Sequence, residues 1–140
     1  MGKINLGRVI LGGIVAGIVS DILGFLVDGV LLAPRWNEGM TELGHGDFSS
    51  NMWIWFNVLG IVSGIVVIWI YAAIRPRFGA GVHTAICAGV AAWIFTSLIP
   101  NLSFMWIAGL FSRRLCAYTT AGALVEVVLG AIAGAAVYKE

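Results

Sequence analysis

Asp21, Asp28 and Glu126 are carboxylic acids set inside apolar runs that contain no Lys or Arg. A charge held in hydrocarbon is costly, so each must be protonated, hydrogen-bonded, bound to a cation or open to a water-filled cavity. The chemistry such residues can perform is the capture and passage of a proton or a cation. Their spacing adds to this. Gly13, Gly17, Asp21, Gly24 and Asp28 follow intervals of 4, 4, 3 and 4, which is one face of a helix, and Gly122, Glu126, Gly130 and Gly134 repeat the pattern in the last run. At the helical rise per residue, Asp21 lies roughly 18 Å from the start of its run and Glu126 roughly 16 Å from the start of its own. Both depths fall near the middle of a hydrocarbon layer about 30 Å thick. If the first and last helices are neighbours, the two carboxyls meet or share a polar pocket, and with no base beside them they share a proton unless a cation is bound.

The structural alternative is a protonated acid that hydrogen-bonds a backbone carbonyl or one of Ser20, Ser63, Thr119 and Thr120, and so holds two helices together. Asp28 lies deeper along the first run, roughly 28 Å from its start, near the outer interface and at the depth of Asn57. A hydrogen bond at that interface, or a pairing with Arg113 or Arg114, is its expected role.

Other chemistries find little support. His45 and His83 are predicted at opposite faces of the bilayer, so they cannot form a bis-imidazole haem site. A single axial ligand to a haem or pigment is open to His83, against the ordinary reading of an interfacial histidine at the start of a helix. The sequence contains no GxSxG, HExxH, CxxC or Walker motif. Glu38, Glu42, His45 and Asp47 could gather a divalent ion, but read more simply as a solvated loop. Cys87 and Cys116 lack metal-ligand spacing and read as small apolar residues. No cofactor, no metal and no enzymatic activity are expected.

The elements that position these residues follow from composition. With 140 residues, 60% of them hydrophobic and 11% charged, and a mean hydropathy of +0.98, the chain reads as an all-α integral membrane protein of one domain. A net charge of +1 provides no basic footprint for nucleic acid. Spanning helices are predicted over residues 9–32, 52–74, 82–99 and 115–138. Pro34, Pro76 and Pro100 lie just beyond the first three, where helix stops are expected. The apolar stretch 102–111 is too short to cross alone, and three readings stand: an interfacial helix, a re-entrant piece, or an extension of the third helix kinked at Pro100. The long run after Lys3 and Arg8 reads as a retained first helix rather than a signal peptide.

Lys3, Arg8, Arg75, Arg77 and Lys139 fall on one side, and Arg35, Arg113 and Arg114 on the other. The positive-inside rule then puts both termini in the cytoplasm, with the bacterial inner membrane as the expected location. Trp36, Trp53, Trp55 and Trp106 crowd the outer side as an aromatic belt would. Val58–Gly64 matches Val128–Gly134 at an offset of 70 residues, and Ile14–Gly17 matches Ile86–Gly89 at 72. The chain therefore reads either as a tandem repeat of a two-helix unit or as helices alike in composition alone. Small residues at four-residue spacing, Gly13 and Gly17, Gly60 and Gly64, Ala85 and Gly89, Gly130 and Gly134, give each helix a flat strip on which another backbone can pack closely.

The closing stretch from Ser112 to Glu140, with Arg75-Pro76-Arg77-Phe78-Gly79 before the third helix, resembles small four-helix bacterial membrane proteins of uncharacterised activity. The resemblance implies four spans and brings no catalytic residue with it. Two functions are expected from the residues themselves. One is a non-enzymatic accessory or scaffold subunit, packing its Gly/Ala strips against other membrane chains or against a second copy of itself in the lipid bilayer. The other is a small proton or cation carrier that uses Asp21 and Glu126.

Overall fold

A computed structural model describes residues 4–46 and 49–139. Among these the chain is helical throughout, with no strand. Helix α1 (Leu6–Gly24) runs on as a π-helical segment, Phe25–Leu31. Helix α2 is Ala33–Glu42 and α3 is Ser50–Phe78. Helix α4 (Val82–Trp93) continues through two π-helical segments, Ile94–Leu98 and Asn101–Ile107, and α5 is Arg113–Val137. Four stretches are long and apolar enough to cross a membrane: Leu6–Leu31, Ser50–Phe78, Val82–Ile107 and Arg113–Val137.

Helix starts are set by side-chain caps. Asn5, Ser49 and Ser112 accept hydrogen bonds from the backbone N–H groups of Arg8, Met52 and Leu115, satisfying donors that a first helical turn otherwise leaves orphaned. The turn between α3 and α4 is tight. Gly79 and Gly81 take φ of 84° and 139°, which side-chain-bearing residues avoid. Thr84 Oγ1 donates to the Gly79 carbonyl at 2.7 Å and the Tyr71 hydroxyl accepts from the Gly81 N–H at 3.2 Å, locking the turn from both sides.

The prolines depart from expectation. Pro34 opens α2 rather than a loop, at a position whose N–H would be unsatisfied in any case. Pro76 lies inside α3, which ends only at Phe78. The lost bond falls in the last turn of a 29-residue helix that can bear it. Pro100 does not end the third span, and residues 102–107 extend that span instead of forming a separate element. Lipid-facing backbone must stay internally bonded. The π-helical i→i+5 register on either side of Pro100 accommodates a residue without an N–H while the chain stays helical. Short α2 also replaces part of the solvated loop. Its Trp36 ring packs edge-on against Phe111 at 5.2 Å, and Gly39 leaves room for that phenyl group.

The helices pack in a ring, with α1 between α3 and α5, and α4 against α5 and more weakly against α3. Val9, Ala16, Ile68, Tyr71, Ala72, Ala85, Ala88, Ala135 and Tyr138 form a core at the end that holds the described termini. A smaller one, Leu32, Met105, Leu115 and Cys116, lies at the α2 end. A stripe of α1, with Leu6, Ile10, Ile14, Ile18, Ile22 and Leu26, faces outward at four-residue spacing, as a lipid-facing surface should.

Glycine sets the helix contacts. A Cβ on Gly17 would stand 2.5 Å from the Ile61 Cα, and one on Gly64 would strike the Gly13 carbonyl and the Gly17 backbone. Gly12 and Gly134 face one another's backbones across α1 and α5. Gly17 stands against the Ile61 backbone, and Gly89, 72 residues on, against the Val128 backbone and the Ala131 side chain. Replacing Gly64 by Val should therefore cost about 3 kcal/mol, the upper end for forced overpacking. Gly46→Ala, where nothing lies within 4 Å, should be neutral. Equilibrium unfolding in mixed micelles separates the two.

Candidate functional site

Beyond the glycine contacts the helices diverge. On α3, Ile54, Trp55, Phe56, Val58 and Leu59 are exposed, as is Phe95 on the third span. The divergence leaves a cavity of about 1470 Å³, walled by α1, α2, α3, the third span and α5. The cavity is open on one side, where its lining includes the outward-facing Ile18, Ile22 and Leu26. Its wall carries Asp21, Asp28 and Glu126, with Ser20, Asn37, Asn57, Ser63, Thr96 and Ser97, and among the described residues no Lys, Arg or His.

Each acid meets a different environment. Asp28 is satisfied: its Oδ1 accepts from Trp36 Nε1 at 3.0 Å and from Thr119 Oγ1 at 2.8 Å, tying the π-helical end of the first span to α2 and α5. Neither Arg113 nor Arg114 pairs with it. Arg113 instead lies over the Trp106 ring at 5.2 Å.

Glu126 is the reverse case. It is 9% exposed, and its Oε1 is buried with no hydrogen-bond partner among the described residues. The carboxyl sits where glycines leave room. A Cβ on Gly24 would lie 3.3 Å from Oε2 and one on Gly122 3.4 Å from Oε1. Asp21 projects from the same face of α1 toward α3, into the space a side chain on Gly60 would fill. No hydrogen bond or ion pair from Asp21 is found among the described residues. The two acids thus line one cavity, Asp21 against α3 and Glu126 against α1.

Three of the four hydroxyls expected to tie these acids down, those of Ser20, Thr119 and Thr120, are engaged elsewhere, while Ser63 lies on the cavity wall. Ser20 donates to the Glu126 backbone carbonyl at 3.1 Å, not to its carboxyl, and needs the bare surface of Gly130 to get there. Thr119 serves Asp28. Thr120 accepts from Asn101 Nδ2 at 2.9 Å, while its carbonyl accepts from Trp93 Nε1 at 2.9 Å. Asn57 donates to the Trp53 carbonyl at 2.7 Å. Thr119, expected as a partner of Asp21 or Glu126, serves Asp28 instead; Trp36 and Asn101 were not expected as partners, and a tryptophan eight residues beyond an intramembrane acid was the one available signal.

The remaining candidates disperse. His83 is exposed at the start of α4. Glu38, Glu42 and His45 are exposed on or just after α2, and Asp47 lies outside the described residues. Among the described residues no three His, Cys, Asp or Glu side chains come together as a metal site. All seven glycines of the expected packing strips, Gly13, Gly17, Gly60, Gly64, Gly89, Gly130 and Gly134, face neighbours inside the chain.

Asp28→Ala should leave buried Thr119 without its acceptor and cost roughly 1.5–3 kcal/mol, the range for a hydrogen bond to a charged group. Asp28→Asn, which keeps an acceptor oxygen, should recover most of that loss in the same unfolding titration. Compared with protein-family models, curated proteins and solved structures, the chain matches none.

Proposed function

We propose that this chain is a small membrane-embedded carrier that binds a proton or another cation at Glu126, with Asp21 as the second acid on its path. The observation that carries the reading is Glu126 itself: a carboxyl nine-tenths buried, one oxygen without a partner, on the wall of a cavity that holds two further acids and no base. A buried charge without a partner is strongly destabilising, so a positive species has to complete the site. Movement between Glu126 and Asp21 is favoured by their shared cavity, whose wall also carries the Ser63 hydroxyl. The orientation that goes with this reading puts the termini in the cytoplasm of a bacterial cell, on the excess of Lys and Arg at that end.

The accessory-subunit alternative has less support. Its basis was a set of small-residue strips free to receive another chain, and those strips are occupied by the chain's own helices.

Reconstitution in liposomes tests the proposal. With an imposed pH gradient, the wild type should dissipate the gradient faster than empty vesicles. Glu126→Gln should slow that flux at least tenfold, and Asp21→Asn should slow it by a smaller factor. A wild type no faster than empty vesicles, or a double variant as fast as the wild type, would sink it.

A further inference from the structure

The cavity is far larger than a proton or a bare metal ion requires. At about 1470 Å³ it exceeds the roughly 300–1,000 Å³ of ordinary small-molecule pockets. Its oxygen supply is poor for an inorganic cation, which seeks about six or more oxygen ligands. Besides the carboxylates, its side-chain oxygens are those of Ser20, Asn37, Asn57, Ser63, Thr96 and Ser97, spread over four elements, and no cluster of three acidic or metal-binding side chains forms among the described residues. What the wall does supply is apolar and aromatic surface. Phe25 and Trp53 meet edge-on at 6.0 Å, and Phe56, Leu59, Met40 and Met52 line the same space.

A second cleft adjoins the cavity. It measures about 230 Å³, lies between α3 and the third span, is lined by Val62, Val66 and Phe95, and shares Ser63 and Thr96 with the main cavity. Its rim faces outward at the depth of the bilayer, with Phe95 73% exposed. A solute reaching Glu126 by this route comes from hydrocarbon, not from water.

We propose that the cavity takes a hydrophobic organic cation, an ammonium or phosphonium centre carrying alkyl or aryl groups, which enters from the lipid between α3 and the third span. This rests on the cation-carrier reading and adds the class of cation and its route. The positive centre seats against Glu126, with Asp21 and Asp28 as the only other titratable groups on the cavity wall. The aryl groups lie on the Phe25, Trp53 and Phe56 side, where ring faces attract positive charge. Partition into the bilayer concentrates such a solute at the cleft, and the cavity offers the counter-charge that the hydrocarbon lacks.

Tetraphenylphosphonium is the probe, titrated against the full chain in lipid nanodiscs by filter binding of the labelled cation. Saturable binding is expected, weakened at least tenfold in Glu126→Gln and held within about threefold of wild type in Glu126→Asp, which controls for folding. Thr96→Phe, in the second cleft, should slow association at least fivefold. Equal binding by wild type and Glu126→Gln would mark a lipid-like occupant indifferent to the acid and overturn the proposal. Absence of binding alongside an intact, Glu126-dependent proton flux would overturn the substrate class and leave the carrier standing. Absence of both would remove the two together. A nanodisc-embedded dimer that excludes the probe would also overturn it, as a second copy filling the cavity.

Discussion

Between residues 13 and 17 of the first span and residues 60 to 65 of the second, two helix backbones lie in direct contact, because Gly13 and Gly17 lie bare against the backbone at Ile65, Ile61 and Gly60, and Gly64 lies bare against the backbone at Gly13 and Gly17. In lipid, helices gain nothing by hiding apolar surface from one another, so van der Waals contact and hydrogen bonds must hold them. Close backbone approach is the strongest form of that contact. On its other flank, α1 repeats the arrangement with α5 through Gly12 and Gly134 and through Ser20 over Gly130. Two helices pinned this tightly at one depth must separate elsewhere wherever bulk follows, and here Phe25, Trp53 and Phe56 follow. Asp21 stands one turn beyond Gly17, at the depth where separation begins, and Gly60 yields the room its carboxyl occupies. The cavity is thus the geometric consequence of the glycine crossing.

The π-helical segments belong to the same geometry. Both the first and the third span change from α to π winding past this depth, and wider winding of this kind is frequent at functional sites. Gly17 lies on the Ile61 backbone, while Gly89, 72 residues on, lies on the Val128 backbone and the Ala131 side chain. The chemistry of the two halves is not alike. Seventy-two residues beyond Asp21 stands Trp93, and seventy before Glu126 stands Phe56. Each acid thus has an aromatic counterpart in the other half, and Trp93 spends its N–H on the Thr120 carbonyl to join α4 to α5.

Sequence made the four spans and the acid-bearing faces legible because hydropathy and helical spacing are local quantities. The starts of α3 and α5 fall within two residues of the expected limits for the same reason. Helix α2 was hidden because Ala33–Glu42 is polar and its order comes from Phe111, distant in sequence. Pro100 misled because a local rule about proline was overridden by a global one, that backbone in lipid stays helical. The partners of Asp28 could not be read at all: Thr119 lies 91 residues away, and only the packing of α1 on α5 brings it near. The depth of Glu126 was legible; its lack of a partner was not, since that depends on where Ser20, Thr119 and Thr120 turn.

The contrast between Asp28 and Glu126 bears most on function, because both acids experience the same protein and the same cavity. Asp28 shows what an acid retained for structure looks like in this chain: one oxygen receives two donors, from α2 and from α5, and the side chain ties three elements together. Glu126 is more deeply buried than Asp28, within the α1–α5 contact, and holds none of the available donors. Thr119 lies seven residues before it on the same helix, about two turns away, and Ser20 reaches its backbone, yet neither bonds its carboxyl. If holding helices together were its task, the donors nearby would serve it as they serve Asp28. A carboxyl with no donor among the described residues, walled by glycines and facing a cavity whose described lining holds no base, is the feature on which the proposed carrier reading rests.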